Sequence, residues 1–177
     1  AYIHARGVGE RAVRNALRGA VVVRPSVLFG PGDSFLRTLD AVTRLPAIPL
    51  FGDGSTRLQP VHVDDVARAC AELATRTEPP EAVYELGGAE TLSYRAIVEA
   101  VLRHRHRRRA LIPVPFAAWH LIATAARPLP SPPITRDQLA LMATDNVADT
   151  ALPGFDALGL QPAGLRERLP ECLPALR

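Results

Sequence analysis

Tyr2, Arg6 and Glu10 recur at intervals of four, so on a helix they stack along one side. A phenol one turn from a fixed cation can act as an acid and a base, because the cation stabilises phenolate and lowers the pKa. The same spacing describes a surface tyrosine beside an Arg–Glu helix pair, and on spacing alone this plainer reading is preferred. His62, Asp64 and Asp65 could ligate a metal. A strand histidine followed by Asp64 as a helix cap accounts for them without an ion. His104 and His106 lie among the arginines of 103–109, whose charge repels a metal ion. Cys70 and Cys172 are far apart, which makes neither a disulfide framework nor a zinc site and points to a reducing compartment.

The chain that positions these groups has 177 residues, 47% hydrophobic and 22% charged, the balance of an ordinary globular domain with a sizeable core. All 21 basic residues are arginine, which excludes a Schiff-base lysine, a P-loop lysine and a lysine general base. A net charge of +3 does not call for a nucleic-acid partner. Seventeen prolines impose many turns. Periodicity predicts helices over 2–18, 34–45, 65–75, 94–103, 116–126, 135–144 and 164–176. Short strands are expected at 20–23, 46–51, 60–63, 83–86 and 111–114. Ala20–Val23 reads as a parallel strand buried on both faces. Ser93 reads as an N-cap, and Thr135 with Gln138 as a capping box. Alternating strands and helices make the chain α/β at first and mostly helical later.

Motifs sharpen this reading. Arg24-Pro25-Ser26-Val27-Leu28-Phe29-Gly30-Pro31-Gly32-Asp33 follows a strand, then come Gly52-Asp53-Gly54 and Gln59-Pro60-Val61-His62-Val63-Asp64-Asp65-Val66-Ala67. In this order the set resembles the C-terminal half of the extended short-chain dehydrogenase/reductases, the NAD-dependent epimerase/dehydratase superfamily. It is most similar to the atypical branch that includes the NAD(P)H-binding accessory subunit of respiratory complex I. Tyr84-Glu85-Leu86-Gly87-Gly88, Thr135-Arg136-Asp137-Gln138 and Asp145-Asn146-Val147 also resemble that branch. The resemblance implies the C-terminal part of a Rossmann-type parallel sheet over residues 1–90, then a smaller, mostly helical lobe over 91–177. It places Tyr2 at the catalytic tyrosine, Arg6 at the lysine that holds the nicotinamide ribose, and Glu10 at an acidic residue of the same helix. Pro25, Ser26, Val27 and Leu28 fall on the segment whose backbone passes the nicotinamide. Proline there fixes φ and leaves neighbouring amides to face a ligand.

Two departures shape the functional expectation. Arginine at position 6 stays cationic but is planar and bulkier than lysine, so the two are not equivalent. Leu58 stands where the sugar-nucleotide branch has a phosphate-gripping arginine, with Arg57 one residue off and on the opposite strand face. The implied function is a cofactor-holding, structural protein with little turnover. An NAD(P)-dependent oxidoreductase or epimerase/dehydratase using Tyr2 stays open. NAD and NADP are not distinguished. Gly7-Val8-Gly9-Glu10-Arg11-Ala12 spells a dinucleotide fingerprint, but no strand precedes it and it lies within a helical pattern. The phosphate-binding glycine loop is expected upstream of Ala1. The 177 residues by themselves are expected to expose the strand edge at 20–23 and the inner faces of helices 2–18 and 65–75. Implied partners are a dinucleotide and complex I or another assembly. The expected location is cytoplasmic, or peripheral on the cytoplasmic side of the inner membrane, with no spanning segment. The basic run 103–109 and the apolar 111–126 suggest contact with an anionic membrane surface. The plainer reading of that run is the solvated end of a helix leading into a lid.

Overall fold

The computed structural model describes residues 2–77, 83–127 and 134–174, with side chains from residue 5 onward. The first helix, α1 (Tyr2–Ala16), leads into β1 (Val22–Pro25), which pairs in parallel with β6 (Val83–Leu86), Val22 beside Val83 and Pro25 beside Leu86. Two further parallel pairs follow. β2 (Leu28–Phe29) lies beside β5 (Val61–His62), and β3 (Ala47–Phe51) beside β8 (Ala110–Val114). β4 (Arg57–Leu58) pairs antiparallel with β7 (Leu92–Ser93). The helices between them are α2 (Ser34–Val42), α3 (Val63–Thr75) and α4 (Tyr94–His104). Then come α5 (Phe116–Ala125), α6 (Arg136–Met142) and α7 (Leu165–Cys172). This is an α/β architecture built on parallel strand pairs. The pairs β3–β8 and β4–β7 join residues on either side of position 90.

Most expected elements form, and their ends follow local chemistry. Asp33 caps α2 by accepting from Leu36 N–H, Ser93 caps α4 by accepting from Ala96 N–H, and Thr135 with Gln138 closes a capping box on α6. Two expectations are corrected at α3. The cap is His62, whose Nδ1 accepts from Asp64 N–H at 3.3 Å, so the helix starts at Val63 and Asp64 is a first-turn residue. The inner face is also not left open: Ala69 is fully buried and Leu73 nearly so, packed with Tyr84, Leu86 and Phe155. A second apolar core joins α2, β3, α4 and α7 through Leu36, Leu39, Ile48, Ile97, Val101 and Leu165.

β1 differs from its expected form. It runs from Val22 rather than Ala20, and none of its residues is fully buried. Among the described residues β6 flanks one edge and no strand flanks the other. The apolar side of α1 is likewise uncovered: Val8 and Val13, with Leu17 just past the helix end, are each about half exposed. The glycines of Gly7–Ala12 lie within α1, where no strand-to-helix turn exists to cradle phosphate.

The basic run is the largest surprise. α4 ends in a Schellman turn, with Arg107 N–H donating to Leu102 O (2.9 Å), His106 N–H to Arg103 O (3.0 Å), and His106 at φ 52°. That turn aims Arg105 and Arg107 at Asp40 of α2. Arg105 Nε donates to Asp40 Oδ1 at 2.6 Å, and Arg107 Nη1 donates to Thr43 Oγ1 at 2.7 Å. The Arg105 side chain is 7% exposed. Part of the run is therefore interior structure rather than a solvated helix end. Burial alone would raise the Asp40 pKa, but the hydrogen bond and charge of Arg105, with Arg44 and Arg107, outweigh it and hold the carboxyl below its usual range.

Asp40→Ala strands the Arg105 guanidinium in the interior and is expected to cost about 3 kcal/mol or more in denaturant unfolding. Because the folded carboxyl titrates below its unfolded value near 4, its contribution is complete above that pH. It is lost as the pH falls through the folded pKa. The stability gap between wild type and Asp40→Asn should accordingly narrow on acidification below about pH 4.

Candidate functional site

Pro25–Leu28 leaves the carboxyl end of β1, where ligands bind in open parallel sheets. Each residue of the segment has a described place. Pro25 pairs with Leu86 at the end of the β1–β6 ladder. Ser26 N–H donates to Leu86 O at 3.0 Å, so this amide is engaged by the sheet rather than left for a ligand. Ser26 Oγ lies 2.9 Å from Asn146 O and 3.1 Å from Asn146 Oδ1, acceptors that share its one proton. Val27 O accepts from Val61 N–H at 2.9 Å, and Leu28 is 43% exposed.

The helix bearing Tyr2 and Arg6 is fixed beside this segment through Glu10. Arg24 Nε and Nη2 donate to the two Glu10 oxygens at 3.0 and 2.7 Å, a bidentate pair, and its Nη1 donates to Glu85 Oε1 at 3.2 Å. The hydrogen bond from Arg24 is the main reason the Glu10 pKa falls, and the bond to Glu10 the main reason the Arg24 pKa rises. Arg6 is exposed on α1. The Tyr2 backbone is helical, and its side chain lies outside the described residues. Sequence reasoning did not single out Arg24. Its signal was a lone charge at the end of an apolar strand, directly before Pro25.

The other side of the segment is held by residues 145–149. Arg57 donates to both oxygens of Asp145 at 2.8 Å through its backbone N–H and Nε, and the Arg57 N–H is the first cause of the lowered Asp145 pKa. Gln59 donates from Nε2 to Gly88 O (2.9 Å) and accepts at Oε1 from Ala148 N–H (3.0 Å). Leu58 is fully buried while Arg57 is exposed, so they face opposite ways as strand geometry requires. A side chain at Gly88 has no room: its Cβ falls 1.7 Å from Pro60 O.

Next to this junction lies a cavity of about 450 Å³ whose lining includes Gln59, Glu85, Gly88, Asp149, Phe155 and Asp156. Its charged groups are all carboxylates, so it does not suit a pyrophosphate. His62, Glu171 and Cys172 bring their polar atoms within 4.8 Å of one another. His62 Nδ1 accepts from Asp64 N–H, so Nε2 carries the proton toward Glu171 Oε1 at 3.3 Å. Burial, helped by Glu171, pushes the Cys172 thiol up to about 11. His62 here serves as the N-cap of α3, with its second ring nitrogen turned toward Glu171. Asp65, 1% exposed, pairs with Arg68 and accepts from Ala163 N–H at 2.8 Å.

The family described as the RmlD substrate binding domain matches residues 1–152. The chain is 33% identical over 176 residues to NADH dehydrogenase (ubiquinone) 1 alpha subcomplex subunit 9, mitochondrial, of Arabidopsis thaliana, covering 93% of this chain and 44% of that protein. It is 30% identical over 176 residues to the Mus musculus protein of the same name, covering 97% and 46%. A Thermus thermophilus UDP-glucose 4-epimerase, solved in complex with NAD, superposes with a TM-score of 0.61 at 18% identity over 95% of this chain and 50% of that one. That likeness shows the fold. The chain spans about half the length of the curated relatives it matches. Among the described residues no helix is long and apolar enough to cross a membrane.

Gly88→Ala forces the 87–88 turn away from Pro60 and loosens the Gln59 bridge. A fall of several degrees in unfolding temperature is expected, against a rise or no change for Gly9→Ala, whose Cβ meets nothing within 4 Å in mid-helix.

Proposed function

The chain belongs to the RmlD substrate binding domain family, and from that premise we propose that it forms the nicotinamide-side half of an NAD(P)-binding Rossmann-type protein. In this reading it holds the dinucleotide as a structural element with little turnover. The observation that carries the proposal is Pro25–Leu28. The segment stands at the carboxyl end of a parallel strand, latched by Asn146 on one side, while Arg24 fixes the helix of Tyr2 and Arg6 on the other.

The residues fit such a cofactor on three counts. Exposed Leu28 offers an apolar surface to a nicotinamide ring, and Arg6 offers a permanent cation for ribose hydroxyls. Ser26, spent on Leu86 and Asn146, fixes the backbone between them. When bound, the dinucleotide supplies hydride chemistry; the protein's part is to bind and orient it. The acidic cavity beside Gly88 is not the phosphate site. Leu58, buried where the sugar-nucleotide branch has its arginine, weighs against a sugar-nucleotide substrate. Two curated relatives are named as subunits of NADH dehydrogenase, which supports assembly into a respiratory complex. A peripheral position on the cytoplasmic side of the inner membrane is the corresponding location.

Fluorescence titration of the full-length protein with NADH and NADPH is expected to show binding with little turnover. Tyr2→Phe should leave affinity nearly unchanged. Arg6→Ala should weaken it by about tenfold, the loss of one charge-assisted contact, and Arg6→Lys should recover part of that. Robust turnover abolished by Tyr2→Phe would replace this reading with that of an oxidoreductase or epimerase.

A further inference from the structure

Two features that hold proteins on anionic bilayers occur together where α5 meets α6. α5 contains no Asp, Glu or Arg, and His120 is its one titratable group. Apart from His120 and Thr124 the helix is apolar, and a helix this apolar is ordinarily buried over most of its surface. This one is not. Leu121 is 73% exposed and Ile122 44%, and Ala117 and Ala125, one turn to either side of Leu121, are exposed as well. Its inner side is small, with Ala123 and Trp119 packed among Phe51, Ile134 and Leu139.

At the carboxyl end of the helix a cavity of about 310 Å³ is lined by Ala123, Arg127, Ile134, Thr135, Arg136 and Asp137. Arg136 Nη2 donates to Thr124 Oγ1 at 3.0 Å, which ties this arginine to the end of α5. Among the described residues neither Arg127 nor Arg136 takes part in an ion pair. Asp137 lines the same cavity, and two cations against one carboxylate leave it net positive. By contrast, the longer basic run at 103–109 has Arg105 and Arg107 committed to Asp40.

We propose that this end of the molecule docks on an anionic phospholipid surface. Headgroup phosphates enter between Arg127 and Arg136, and Leu121 and Ile122 reach the acyl boundary. Basic residues or a small apolar patch alone hold a protein weakly, whereas the two combined hold it stably. Charge complementarity selects the occupant. An apolar protein partner has no use for two open guanidinia beside an uncharged helix. The inference is separate from dinucleotide binding, since none of these residues adjoins Pro25–Leu28.

Vesicle co-sedimentation of the full-length protein tests it. Binding is expected to vesicles of phosphatidylcholine with about a third phosphatidylglycerol, declining as salt rises, and not to phosphatidylcholine alone. Arg127→Gln with Arg136→Gln should weaken partitioning by at least tenfold, at about fivefold per arginine. Leu121→Ser with Ile122→Ser should abolish it while unfolding temperature and NADH affinity stay as in wild type. Equal binding to neutral vesicles, or indifference to the arginine pair, overturns the proposal. So does protection by inorganic phosphate without any sedimentation, which assigns the cavity to a soluble anion. Absence of sedimentation together with loss of a protein complex in the Leu121/Ile122 variant assigns the face to a protein.

Discussion

Arg24 holds carboxylates from two other elements, Glu10 of α1 and Glu85 of β6, and the placement of the candidate site depends on that grip. α1 contributes no residue to any apolar core formed by the described residues, so packing does not locate it. A bidentate guanidinium–carboxylate pair does so with more directional precision than an apolar contact, because both oxygens and both nitrogens must be coplanar. Glu85 then extends the constraint: its second oxygen accepts from Asp149 N–H at 2.8 Å, so Glu85 ties Arg24 to the loop beyond the sheet.

The loop side is built by a different means. Residues 145–149 are held by the Asp145 carboxylate on Arg57 and by backbone groups, with Asn146 N–H donating to Arg57 O and Asn146 O accepting from Gln59 N–H, as an added strand would. This works because Gly88 lets its chain touch Pro60, which brings Gln59 within reach of both Gly88 and Ala148. Ser26 is therefore enclosed by groups already satisfied, and the segment that faces the proposed nicotinamide position has little freedom to relax. Little freedom suits a protein that holds a cofactor, since an ordered site has less entropy to lose on binding.

Charge is divided between interior and surface in a way that composition conceals. Arg105 and Arg107 are structural, paired with a buried aspartate that would otherwise be neutral or absent. Arg127 and Arg136 remain near the surface beside an apolar helix. The same residue type thus serves two ends, and with no lysine in the chain, arginine fills every basic role.

The sequence by itself determined what depends on neighbours along the chain. Capping at Ser93 and Thr135, the strand at Val83–Leu86 and the succession of β and α segments were all legible, because caps and periodicity act within one or two turns. The family was legible too, from ordered motifs between Arg24 and Ala67. The tertiary structure decided what depends on which distant residue answers a charge. Nothing local showed that Arg24 meets Glu10, that Arg105 turns inward to Asp40, or that His62 rather than Asp64 caps α3. Nor could periodicity show that α5 leaves Leu121 in the open, since His120 and Thr124 are too few to mark where its outside ends. Hydrogen bonds and ion pairs across the fold are set by side-chain direction and chain reversal. A one-dimensional pattern does not encode these until the turns, here the positive φ of His106 and the close approach at Gly88, have been made.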